Sequence, residues 1–144
     1  VRFNYRGVGK SEGSYDQALG EVEDSLAVGN WFLGQSHLER TWLIGFSFGA
    51  YIAFQAAHRL PVKGLILIAP AVTRMDYSKV KEPTVPTWVI HGGSDELIAS
   101  DKVQDWSKGL KSLKETYILP QASHFFHGRL GDLSIYLDNV ISQY

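Results

Sequence analysis

Five residues, Gly45-Phe46-Ser47-Phe48-Gly49, constrain this chain more than any other stretch. They follow the apolar run Thr41-Trp42-Leu43-Ile44 and precede Ala50-Tyr51-Ile52-Ala53-Phe54-Gln55-Ala56-Ala57, a small and apolar run that reads as a helix. G-x-S-x-G between a strand and a helix is the pattern of a nucleophile elbow, a turn so sharp that the serine hydroxyl stands clear of the backbone. Side chains at Gly45 and Gly49 are expected to collide inside such a turn, which is why both positions carry no Cβ. The first N–H groups of the following helix then point to where negative charge would develop.

Around that turn the chain alternates apolar runs with helix-like segments. The expected strands are Val1–Tyr5, Thr41–Gly45, Gly64–Ala69, Thr87–His91 and Glu115–Leu119. Gly64-Leu65-Ile66-Leu67-Ile68-Ala69 is continuously apolar, as a strand buried on both faces should be. A glycine-rich loop, Arg6–Gly13, leads to Ser14-Tyr15-Asp16-Gln17, which fits an S-x-x-Q capping box opening a helix. Leu19, Val22, Leu26 and Leu33 form the apolar stripe of that helix, with Glu21, Glu23 and Asp24 off it. Further helices are expected over Phe48–Arg59, Ser100–Leu110 and Asp132–Ser142. Strands spaced by helices predict a mostly parallel sheet with helices on both faces, one domain over residues 1–144. The stretch Pro70–Pro86 is long enough for a small loop over a pocket but not for a lid, so an open site is expected.

Composition narrows the chemistry. The formal net charge is −1, which offers no electrostatic footing for nucleic acid or an anionic membrane surface. There are no cysteines, which removes disulfides, thiolate metal sites and a cysteine nucleophile. No apolar run approaches the ~20 residues of a membrane span, no signal peptide is visible, and a cytoplasmic location is the expectation. Neither a metal nor an organic cofactor is expected, since no His/Asp/Glu spacing suits a metal. Gly9-Lys10-Ser11 lacks the upstream glycine of a phosphate loop because Asn4 stands there, and Glu12 breaks a dinucleotide pattern after Gly7 and Gly9. The chain opens with Val1 inside an apparent strand, so a preceding segment is expected.

A serine nucleophile needs a base, and the base needs an orienting acid. After Ser47, His91-Gly92-Gly93-Ser94-Asp95 follows an apolar strand, putting Asp95 at the rim where the elbow lies, with Glu96 as the fallback. The last strand runs into Pro120-Gln121-Ala122-Ser123-His124, so His124 reaches the same rim, ahead of the competing His127. His127 is expected to be a loop hydrogen-bonding group, His91 a satisfied strand-end histidine, and His37 and His58 ordinary polar residues.

With these motifs in order the chain resembles the α/β-hydrolase fold, in particular its small, lidless bacterial serine hydrolases. The residues that carry the resemblance are Phe3–Gly13, Gly45–Gly49, His91–Asp95 and Ser123-His124-Phe125-Phe126-His127-Gly128. The resemblance implies Ser47 as nucleophile, Asp95 as orienting acid, His124 as general base and the Phe48 backbone N–H as half of an oxyanion hole. It implies hydrolysis of small esters or related acyl compounds, the work of a carboxylesterase, with a small-molecule substrate as partner, no nucleic acid or membrane, and no cofactor. A catalytically silent scaffold that binds a small molecule or a partner, and acyl transfer or peptide cleavage by the same triad, are the alternatives. It also implies three earlier strands and a helix ahead of Val1, within a protein of about 200 residues. One loop of that part usually gives the second oxyanion N–H, and its third strand lies between the fourth and fifth.

Overall fold

A computed structural model describes residues 1–35 and 41–144; His37 lies outside the described residues. The elements are α1 (Leu19–Gln35), β1 (Trp42–Phe46), α2 (Phe48–Ala56), β2 (Gly64–Ile68), β3 (Thr87–Gly92), α3 (Ser100–Lys108), β4 (Leu113–Leu119) and α4 (Leu130–Gln143), with a short 3₁₀ turn over Tyr77–Lys79. The four strands form one sheet in the order β1-β2-β3-β4, and every pair is parallel. This is the α/β architecture that the strand–helix alternation predicts.

Every residue of β2 and β3 is buried, because helices cover both faces. On one face Leu65, Leu67 and Val89 pack with Val22 and Leu26 of α1, Ile52 and Phe54 of α2, and Val103 of α3. On the other, Ile66, Ile68, Trp88 and Ile90 pack with Phe126 and with Val140 of α4. Alternate residues of one strand thus feed two cores, which is why these runs are apolar without a break. The register slips between Thr87 and Trp88, so Leu113 pairs with Thr87 while Glu115 pairs with Trp88. That bulge starts β4 two residues before the expected Glu115.

Three local expectations are corrected. Val1–Tyr5 is not a strand. A strand exists through its ladder, and the flank of this segment toward β1 is an open cleft lined by Val1, Phe3, Ile44, Gly45 and Phe46. The capping box at Ser14–Gln17 does not start α1, because Gln17 (φ 51°) and Ala18 (φ 74°) are left-handed and interrupt any helix there. Instead the Glu21 carboxylate reaches back to accept the Asp16 N–H at 2.8 Å. Glu21 is therefore buried, 1% exposed, rather than off the apolar face, whereas Leu19 is exposed.

The glycine-rich loop is tied to α1 through Arg6, whose Nη2 donates to Asp24 Oδ1 at 2.7 Å and whose backbone N–H donates to Oδ2 at 3.0 Å. Those bonds from Arg6 outweigh desolvation and hold the Asp24 carboxyl below the usual carboxylate range. α2 ends at Ala56, three residues early, as the chain tightens into a turn with Arg59 N–H donating to Ala56 O ahead of Pro61. No helix among the described residues is long and apolar enough to cross a membrane.

Candidate active site

Three loops at the C-terminal ends of β1, β3 and β4 converge at one rim of the sheet, where an open parallel sheet places its ligands. The first is the elbow. Ser47 N–H donates to Ile68 O at 2.8 Å, so the ladder from β1 to β2 runs into the turn, and α2 begins at the next residue. Ser47 sits at φ 54°, ψ −114°, a conformation that L-residues adopt only under constraint. Phe48 is the first residue of α2, and its N–H lies in the turn where no intrahelical acceptor exists.

Gly45 explains how β1 and α2 pass so closely. A Cβ there would overlap the Gly49 carbonyl oxygen and stand 2.6 Å from Gly49 C and 2.7 Å from Ala50 Cα. At Gly49 the steric expectation fails, since the nearest atom to an added Cβ is Tyr5 Oη at 3.6 Å, an ordinary contact. Gly45→Ala should therefore cost about 3 kcal/mol of stability by overpacking against backbone. Gly49→Ala should stay within about 1 kcal/mol of the parent, helped by alanine's better helix propensity. Thermal melts of the two variants check the contrast.

The second loop follows β3. The Asp95 side chain is wholly buried, and its Oδ1 accepts the N–H groups of Leu97 (2.8 Å) and Ile98 (2.9 Å). Burial alone would push its pKa up. The bonds from Ile98, His124 and Leu97 together outweigh burial and hold it below the usual carboxylate range. Its Oδ2 is 2.7 Å from His124 Nδ1. The third loop follows β4 and carries His124, 2% exposed, whose Nε2 is 3.0 Å from Ser47 Oγ. The imidazole ring packs against Phe46 and Phe125, at ring-centre distances of 5.2 and 5.1 Å, and those two rings touch each other at 5.9 Å.

The loops that carry Asp95 and His124 are stitched to each other. Gly93 N–H donates to Leu119 O at 2.8 Å and Ser94 N–H to Ala122 O at 3.0 Å. Gly92 permits the approach, because a Cβ there would overlap Ala122 O and stand 2.8 Å from Ser123 O. Glu96, the fallback acid, has a different place: its Oε2 accepts the backbone N–H of His124 at 3.0 Å. That bond is the main reason its carboxyl lies below the usual range.

Ser47, Asp95 and His124 are therefore brought together, while His127 is exposed, with its ring stacked on Phe125 at 5.8 Å. His58 is exposed on the turn after α2. Sequence reasoning missed the positions of Gly92 and Glu96. The only signal was the pair of adjacent acids just past a Gly-Gly strand end. Among the described residues no group of three His, Cys, Asp or Glu side chains is placed to hold a metal ion.

The sequence model of the α/β-hydrolase fold matches residues 1–84. The chain belongs to the α/β-hydrolase family. Among solved structures, this α/β hydrolase is similar to an α/β serine hydrolase without a lid from Xanthomonas campestris, at 41% identity and a TM-score of 0.90 over 99% of this chain and 65% of that one. It is also similar to an α/β serine hydrolase homologue from Coxiella burnetii, at 39% identity and a TM-score of 0.89 over 97% of this chain and 67% of that one. A curated relative, an uncharacterized protein of Rickettsia prowazekii (strain Madrid E), is 32% identical over 93% of this chain. The chain spans 60% of the length of that relative.

Proposed function

We propose that this α/β hydrolase is a serine hydrolase acting on small carboxylic esters or related acyl compounds through an acyl-enzyme on Ser47. The observation that carries the reading is the continuous relay from Ser47 Oγ to His124 Nε2 (3.0 Å) and from His124 Nδ1 to Asp95 Oδ2 (2.7 Å). An ionised carboxylate only accepts, so Nδ1 carries the ring proton and Nε2 is left free to receive one.

In the first step Ser47 Oγ bonds to the ester carbonyl carbon, its proton passes to His124 Nε2, and the carbonyl oxygen takes the negative charge toward the Phe48 N–H. When the intermediate collapses, the carbon–alkoxide bond breaks and His124 returns the proton to the leaving oxygen. Water repeats the sequence on the acyl-enzyme and releases the acid. The segment between β2 and β3 contributes only the 3₁₀ turn Tyr77–Lys79, which supports small or exposed substrates.

Intact-mass analysis with a fluorophosphonate probe tests this reading. One adduct per chain, mapped to Ser47 by peptide sequencing, together with turnover of p-nitrophenyl acetate, is the expected result. Folded protein that takes no adduct and turns over no ester would overturn it in favour of a silent binding scaffold.

A further inference from the structure

We propose that His91 is a positioning residue for the active site, tethering the loop that carries Asp95 from beneath. This inference rests on the reading of Asp95 as the acid that orients His124. His91 is the penultimate residue of β3 and is wholly buried. Its Nε2 is 2.9 Å from the carbonyl oxygen of Ile98 and 3.5 Å from Asp95 Oδ2. A carbonyl oxygen only accepts, so Nε2 carries the proton and donates to Ile98.

Ile98 is the residue whose N–H donates to Asp95 Oδ1. One peptide-bonded residue is therefore held from two sides, by the acid through its N–H and by His91 through its carbonyl. Within this closed ring the only other support of Oδ1 is the Leu97 N–H. Asp95 Oδ2 remains aimed at His124 because Oδ1 cannot swing while Ile98 is fixed.

The tether is served by a neutral ring with its proton on Nε2. His91 Nδ1 is buried and has no hydrogen-bond partner among the described residues. Protonation would place a donor there with nothing to receive it. The titratable groups that face His91 are Asp95 and His124. Burial, with a smaller contribution from His124, keeps the ring neutral against the opposing pull of the Ile98 carbonyl and Asp95. A neutral His91 also leaves the negative charge of Asp95 to His124 rather than dividing it between two imidazoles.

The test compares His91→Leu, His91→Gln and His91→Asn with the parent, measuring p-nitrophenyl acetate turnover across pH beside melting temperature. Leucine fills the space and donates nothing. Glutamine carries an amide nitrogen about as far from the backbone as Nε2, and asparagine is too short to reach. His91→Leu and His91→Asn are expected to lose about tenfold in kcat with KM unchanged, and to shift the acid limb of the kcat/KM profile. His91→Gln should retain most of both. A Leu or Asn variant that melts earlier yet keeps the parental kcat and pH profile would overturn the proposal, leaving His91 a packing residue. So would a Gln variant that fares no better than Asn. If His91→Leu fails to fold, the Gln–Asn contrast decides alone. An unlabelled, inactive parent would instead count against the serine hydrolase reading itself.

Discussion

Ser47→Ala is expected to abolish fluorophosphonate labelling and to lower kcat for p-nitrophenyl acetate by about 10⁶-fold, the scale of removing a nucleophile from a working relay. The loss is so large because no neighbouring side chain can substitute. Among the described residues His124 Nε2 has Ser47 Oγ as its hydroxyl partner, at 3.0 Å. Fold stability should barely change, since alanine keeps the Cβ that makes φ 54°, ψ −114° unfavourable. Ser47→Gly should be just as inactive and about 1 kcal/mol more stable than Ser47→Ala, because glycine releases that strain. Residual labelling of Ser47→Ala at the parental rate would place the nucleophile elsewhere.

Asp95→Asn should retain the fold and reduce kcat by about 10⁴-fold. The asparagine carbonyl can still accept from Leu97 and Ile98, as Oδ1 does now. Its amide then faces His124 Nδ1 with a donor, which forces the ring proton onto Nε2, the atom that must receive the Ser47 proton. The stability profile should also change in a definite direction. Asp95 titrates below its ordinary value of 3.8 in the folded protein. Its ionised form therefore stabilises the fold fully above that value, and the contribution is lost as pH falls toward the lower native value. Acid denaturation followed by circular dichroism should show this component in the parent and not in Asp95→Asn. Full activity in Asp95→Asn would remove Asp95 from the relay.

Much of this was legible in the sequence because the informative elements carry their own boundaries. β2 is an unbroken apolar run after Pro61, β3 another after Pro86, and the elbow is bracketed by glycines. The order Ser47, Asp95, His124, each just past a strand, located the three side chains that the structure brings together. What failed was what depends on a neighbour. Val1–Tyr5 has strand composition, but no strand among the described residues lies alongside it to make a ladder. Gln17 and Ala18 delay the start of the first helix to Leu19 through backbone angles that no side-chain pattern announces. Gly92, Glu96 and His91 matter because two loops approach, and Glu96 meets His124 across 28 positions of chain. Spacing alone could not show that Glu96 binds the main chain of His124 rather than its ring.

The sheet places β1 to β4 in the order of the chain, so each pairing needs only the next crossover to dock. Such assembly can proceed stepwise, although each parallel crossover must first close its own loop. The proposed relay has the opposite character: Ser47 follows β1, His124 follows β4, and 77 positions separate them. Chemistry should thus be the last property to arise as the chain folds and the first lost when β4 and α4 fray. A partly folded chain would carry most of these strand pairings and no reactive serine, which makes reactivity toward the probe a stricter measure of the native state than secondary structure.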